Sequence, residues 1–394
     1  MQLPRLTASA VTRPGVIEMK QIINSKTWIV HGLIISSLLL APVMAAHAGL
    51  TIANVSAEPA IFKPAKDKTI KVGFTINEPA HVQLNIYDAR DYLIRNISSK
   101  KVLSAGNHTL TWDGRSASGQ PLPPEAYYYT LEAKSATDEL SEKPVVYDLT
   151  DKTGGETVYA VKVEYNPKDK KVHYALPATA RIFMRVGIEK GNIYGTLING
   201  AIRQAGQQTW SWDGWDQSHV FELGTHPKLQ VYVEGIALSD NAILIDGPPP
   251  AMPTYVSLKP DEIVRRKAQP KPPGVNIHAR HQRELCRDFP VTLTLPDNIK
   301  QSKQGLPLIT GKLPVKMDLR PEDVVMLESQ RFELVYYLNN NLVYENEVSY
   351  VPYTWIWDPK TLSGGTHYMT AVVVGFDGHF GMSTIKFQLA KTGK

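Results

Sequence analysis

The chain has 394 residues, 43% of them hydrophobic and 21% charged, a balance that lets most of it bury cores and admits two to four domains. Formal net charge is +5, of which the first 48 residues carry +3 (Arg5, Arg13, Lys20 and Lys26 against Glu18). The rest is nearly neutral and lacks the concentrated basic face of a nucleic-acid binder, and a single cysteine, Cys286, excludes an intrachain disulfide framework.

In chain order, the first recognisable segment is a leader. Lys20 and Lys26 precede an apolar run over residues 28–40, and Ala46-His47-Ala48 supplies the small residues of a cleavage site. Residues 1–48 are therefore expected to be a signal peptide removed after Ala48, with Gly49 as the mature N-terminus. Met19 offers an alternative start that would leave residues 1–18 outside the protein. His31, Gly32 and Pro42 punctuate the run, and it is short for a membrane span. No cysteine follows it to carry a lipid, and no later stretch is long and apolar enough to cross a bilayer.

Beyond residue 48 the pattern is strand after strand. Period-2 alternation at 70–76 and 82–87 is broken by Gly, Pro and Asn at short intervals, and it recurs at 171–176 and 180–186. Tyrosine-rich or apolar closing strands are expected at 127–131 and 229–233. Residues 247–285 change character: prolines crowd the stretch among Arg265, Arg266, Lys267 and Lys271. This composition predicts a semi-rigid, basic linker that holds a third domain at a distance. After it, strands are expected at 289–295, 332–338 and 342–344, the last two joined by an Asn339-Asn340-Asn341 turn. Further strands at 370–375 and 384–389 flank an Asp377-Gly378 turn. Residues 321–327 fit a turn of helix or the approach to a strand, and no long segment has helical periodicity. The expected architecture is all-β: Ig-like or fibronectin-like sandwiches at 49–146, 147–246 and 286–394.

One motif repeats. Ala105-Gly-Asn-His-Thr-Leu-Thr-Trp-Asp-Gly114 returns 100 residues later as Ala205-Gly-Gln-Gln-Thr-Trp-Ser-Trp-Asp-Gly214, and Thr354-Trp-Ile-Trp-Asp-Pro359 is a partial third copy. Trp112, Trp212 and Trp357 each end an alternating segment, where a large ring buries well if its indole N–H finds an acceptor. Asp113, Asp213 and Asp358 are placed to accept backbone N–H bonds in a turn, and Gly114 and Gly214 permit positive φ behind them. An Asp between Trp and Gly in an all-β pattern reads as a turn residue rather than a catalytic carboxylate or calcium ligand.

These residues carry a resemblance. Pro79-Ala80, Ile86-Tyr87-Asp88, Ala105-Gly106, Trp112-Asp113-Gly114-Arg115, Gly119-Gln120 and Tyr127-Tyr128-Tyr129 resemble the Ig-like domain of flagellar hook-capping proteins and of secreted bacterial proteins. The likeness extends, with losses, over residues 50–245. Pro352-Tyr353, Trp357-Asp358, Gly365-Thr366-His367 and Asp377-Gly378 are similar to a second bacterial Ig-like group, covering 310–390. The resemblance implies a sandwich fold and says little about function, because such modules serve as spacers and adhesion units in unrelated proteins.

Catalytic signatures are missing: there is no Gly-x-Ser-x-Gly, His-Glu-x-x-His or phosphate-binding glycine loop. His278, His281 and Cys286 place three ligand-type side chains within nine residues, yet a zinc or copper site would also need a fourth ligand and a rigid frame. No cofactor and no enzymatic activity are expected. The expected function is an exported structural or interaction protein, an accessory or scaffold subunit of a periplasmic or cell-surface assembly with protein partners in the envelope. Two alternatives stand beside it. One is a carbohydrate-binding protein using aromatics near the motif, Trp210, Trp215 and Trp355, with Trp215 the foremost. The other is a metal-binding protein built on the His278/His281/Cys286 cluster.

Overall fold

The computed structural model describes residues 49–137, 143–247, 258, 263–270, 288–328, 331–347, 350–375 and 378–390. The leader, His278, His281, Cys286 and Asp377 lie outside the described residues. Twenty-four strands and one short helix make the described chain all-β.

Alternation closes the first core. Along Ile70–Ile76 the side chains of Ile70, Val72, Phe74 and Ile76 are buried while those between them face outward, as a strand with one dry face requires. This strand lies between Ile52–Glu58 and Gly106–Trp112 in a three-stranded antiparallel sheet. Its dry face meets Val82, Leu84, Ile86, Tyr127, Tyr129 and Leu131 from a six-stranded sheet that contains Ala80–Tyr87, Leu93–Ser98 and Ala126–Ser135. The second core repeats the plan. Val161–Asn166, Lys171–Leu176 and Gly206–Ser211 form one sheet, and Ile193–Arg203, Ala180–Ile188, Leu229–Ala237 and Thr157–Tyr159 form the other. Between them sit Val172, Tyr174, Ile182, Met184 and Trp212.

The third core is enclosed by a single eight-stranded sheet. Its order is Asn341–Asn346, Phe332–Leu338, Gly365–Gly375, Phe380–Leu389, Phe289–Thr294, Leu313–Leu319 and Tyr353–Trp357, with Leu308–Ile309 paired to Phe380–Leu389. The hairpin between Phe332–Leu338 and Asn341–Asn346 turns through Asn339 and Asn340 alone, at φ of 47° and 68°, the two positive values a type I′ turn demands. The ambiguous 321–327 stretch is helical, as Pro321–Glu328. Proline at the first helical position needs no N–H partner, and Glu322 and Asp323 complement the dipole there.

Two features differ from the sequence expectation. Ala242–Ile245, within the 147–246 stretch expected to form the second sandwich, joins the first: it pairs antiparallel with Ala126–Ser135 and parallel with Ile61–Phe62, and Ile243 and Ile245 lie in the first core. Alternation in so short a strand does not say which sheet it completes. The stretch expected to be a free spacer is also anchored. Residues 264–269 bind the edge of the first sandwich, and Asp288, directly beyond the proline-rich segment, is buried against the second.

Candidate functional site

The Trp-Asp turn has the same hydrogen bonding in both full copies. The Trp112 indole donates to the Arg115 carbonyl at 2.9 Å, and Trp212 to the Trp215 carbonyl at 2.8 Å. The Asp113 carboxylate accepts the Arg115 N–H at 3.1 Å, and Asp213 accepts the Trp215 N–H at 2.9 Å. Gly114 and Gly214 hold φ of 71° and 91°. A Cβ on Gly114 would stand 2.5 Å from the buried Phe62 ring. In the partial copy Trp357 is buried and Asp358 accepts the Lys360 N–H at 3.3 Å, without a glycine. Hydrogen bonds and charge from Lys360 also hold the Asp358 carboxyl below its ordinary range. In each turn the aspartate is engaged with the backbone two residues on, the geometry of an Asx turn.

The aromatic candidates part company. The Arg203 guanidinium covers the half-buried Trp210 ring at 5.3 Å, and Trp355 stacks on Tyr344 at 5.0 Å. Trp215 stays 37% exposed because Gly214 turns the chain outward just before it. It lines an amphipathic cleft of about 710 Å³ between the second and third sandwiches. Trp215 and Val220 form one wall, and Leu293, Leu295, Pro307 and Ile385 the other. The two walls are joined where the Thr384 N–H donates to Ser218 Oγ at 2.8 Å.

Beside the cleft is a polar node that sequence reasoning missed. Arg185 points outward from the second core and is buried by the third sandwich. Its Nε and Nη2 donate to the two Asp288 oxygens, each at 2.7 Å, and Nη1 donates to Glu234 at 2.6 Å. Asp288 also accepts from Thr196 Oγ1 at 2.5 Å and from the Phe380 N–H at 3.0 Å, while its own N–H donates to Asn199. The Phe183 and Phe380 rings flank the guanidinium at 4.9 and 5.0 Å. Burial alone would raise the Asp288 carboxyl, but the hydrogen bonds from Arg185 and His379 and the Arg185 charge outweigh it and bring it down to about 2. Burial likewise opposes the charge on Arg185, and Asp288 and Glu234 more than compensate, so its net shift is upward.

Four residues earlier on the same strand, Arg181 makes the corresponding contact with the first sandwich. Its side chain is 1% exposed, and it donates to Glu125 at 2.8 Å and to the Gly200 carbonyl at 2.8 Å. A legible signal existed: two arginines four residues apart, both facing away from the core of an otherwise apolar strand, mark positions where another body must cover and pair them.

Residues 61–137 match the family of FlgD Ig-like domains. The match spans the first of the two full Trp-Asp copies. Solved structures similar to the chain include the fibronectin(III)-like modules of Clostridium thermocellum CbhA, at 9% identity over 86% of this chain and 93% of that one, with a TM-score of 0.18. A bacterial ice-binding adhesin is similar at 10% identity over 87% and 98%, TM-score 0.17. A tetra-tandem repeat from the extending region of a large adhesion protein is similar at 12% identity over 87% and 74%, TM-score 0.18. No curated protein matches the sequence. Among the described residues no helix is long and apolar enough to cross a membrane, and no group of three or more His, Cys, Asp or Glu side chains is placed to hold a metal.

Proposed function

We propose that this chain is an exported, non-catalytic structural and interaction protein: an accessory or scaffold subunit of a periplasmic or cell-surface assembly, built from Ig-like modules with protein partners in the envelope. The observation that carries this reading is the use of buried ion pairs to fasten module to module. Arg181 reaches Glu125 and Arg185 reaches Asp288 across the two junctions. Such junctions favour a stiff rod-like or wedge-like presentation of edges and loops over independent beads on a flexible string. Export is read from the tripartite leader. Fractionation of cells expressing the full 394-residue chain tests the reading. Envelope or medium fractions should hold a protein beginning at Gly49 that co-purifies with defined envelope proteins. A cytosolic protein retaining residues 1–48 would overturn it.

A second reading is favoured by one observation, the exposure of Trp215 at the mouth of the cleft. A ring in that position stacks on a sugar, so the protein binds a glycan there. Affinity electrophoresis in polysaccharide gels tests it: the wild-type chain should be retarded and Trp215→Ala should not. Equal mobility of the two would remove it.

A further inference from the structure

Residues 263–270 separate two proline-rich stretches, yet they are bound to the first sandwich as a ligand would be. The Leu93–Ser98 strand lies at the edge of the six-stranded sheet. Its Leu93 N–H donates to the Val264 carbonyl at 2.8 Å, the Arg266 N–H donates to the Asp91 carbonyl at 2.8 Å, and Tyr92 and Arg265 form an antiparallel bridge between them. This is strand addition to a free edge. Arg265 lies over the Tyr92 ring at 4.8 Å and donates to its hydroxyl at 2.7 Å.

Arg266 enters a pocket of three carboxylates. Nε donates to Asp91 at 2.8 Å, Nη1 to Asp148 at 2.9 Å and to Asp151 at 2.7 Å, and Nη2 to the other Asp151 oxygen at 2.9 Å. The Gln269 N–H adds a bond to Asp151 at 2.8 Å. Asp148 and Asp151 are 2% and 0% exposed, so the pocket is dry and presents three carboxyl groups to one guanidinium. Asp91 adopts φ of 64°, a left-handed conformation that Asp tolerates and that belongs to the turn presenting its carbonyl to Arg266.

The apolar residues of the bound segment do not pack. Ile263 and Val264 are 44% and 51% exposed. The segment is therefore held by backbone pairing and by guanidinium recognition, the means by which a sheet edge binds a short peptide, and it gives no hydrophobic side chain to the core. We propose that the Asp91-Tyr92-Leu93 edge, with Asp148 and Asp151, is a binding site for an extended arginine-bearing segment of a partner protein, and that the chain's own residues 264–269 occupy it in cis. A tethered occupant competes at high effective concentration, so it sets a threshold that only a well-matched segment in trans passes.

The test uses the full mature chain and a synthetic peptide of residues 263–270. Isothermal titration should show saturable one-to-one binding to Arg266→Ala, about tenfold or more tighter than to wild type, with the empty variant's thermal midpoint rising as peptide is added. Changing the peptide residue corresponding to Arg266 into Glu should abolish both effects. Arg266→Lys keeps a charge in the pocket and covers the case in which the alanine variant does not fold, and it should bind the peptide with intermediate affinity. Failure of both folded variants to bind, or equal binding by wild type, overturns the proposal. So does sedimentation of the wild-type chain as a segment-exchanged dimer, which would assign the edge to a second copy. The inference rests on the interaction reading only for the partner's class. A negative titration beside envelope co-purification rejects the edge site alone, and a cytosolic location beside peptide binding rejects the envelope reading alone.

Discussion

Arg185→Ala removes the cation that neutralises Asp288 and leaves a carboxylate that is 4% exposed facing an empty space. Two charge-assisted hydrogen bonds at 2.7 Å disappear, along with the bond to Glu234 and the contacts with two phenyl rings. Breaking a buried pair by deleting one partner costs about 3–5 kcal/mol, because the remaining charge has lost its main counterion and is shielded from water. Urea denaturation at pH 7 should therefore show a loss of about that size, a large fraction of a typical domain's stability. The loss should fall on the junction, so the second and third sandwiches should separate into distinct transitions where the wild type melts them together. The double change Arg185→Met with Asp288→Leu should recover most of the stability, since an apolar pair of similar volume needs no counterion. A loss under about 1 kcal/mol in the single variant would mean that water reaches the node, and the buried-pair account of the junction would be wrong.

Acid should act on the same node. The Asp288 carboxyl is lowered from 3.8 to about 2, so its pairing contributes stability that is complete above about pH 4 and lost as pH falls toward 2. The lowering corresponds to a contribution on the order of 2 kcal/mol, and Asp288→Asn should flatten the wild-type decline in that window, with an unchanged slope counting against the assignment. Gly114→Ala and Gly119→Ala separate two costs at one turn. Both positions have positive φ, at 71° and 81°, but an added Cβ meets the Phe62 ring at 2.5 Å in the first and nothing within 4 Å in the second. The conformational cost is about 1 kcal/mol at each, and the clash should add about 1–3 kcal/mol at Gly114 alone, so equal losses by thermal denaturation would contradict the close approach.

Strand identity was legible because burial follows period 2. Ile70–Ile76, Lys171–Leu176 and Phe332–Leu338 bury the residues their alternation marks. The Trp-Asp repeat was legible for the same local reason: an indole donor, an aspartate acceptor and a glycine at three consecutive positions close one turn on themselves. What lay hidden was every pairing that depends on a distant segment. The Ala242–Ile245 strand has the right alternation for either of two neighbouring sheets, and only the close approach of Ile61–Phe62 and Ala126–Ser135 decides between them. Arg266 looked like one more solvated charge in a basic linker. Its three carboxylates come from positions 91, 148 and 151, more than a hundred residues away, and no spacing rule links them.

The Ala180–Ile188 strand shows why a chain of simple sandwiches becomes one body. Ala180, Ile182, Met184 and Val186 face inward and build the second core, as any half-buried strand would do. The opposite face holds Arg181, Phe183 and Arg185, and all three are buried too. Arg181 is covered by the first sandwich through Glu125, Phe183 lies 5.5 Å from the His379 ring of the third, and Arg185 is covered by the third through Asp288. A strand whose two faces are both dry belongs to two interiors at once. Apolar residues at 181 and 185 would still pack, but they would leave Glu125 and Asp288 unpaired. The arginines therefore specify which surfaces meet, and a module without a carboxylate at position 125 or 288 would lack the matching charge. The ion pairs thus fix the identity and register of the neighbours, while the three hydrophobic cores supply most of the stability.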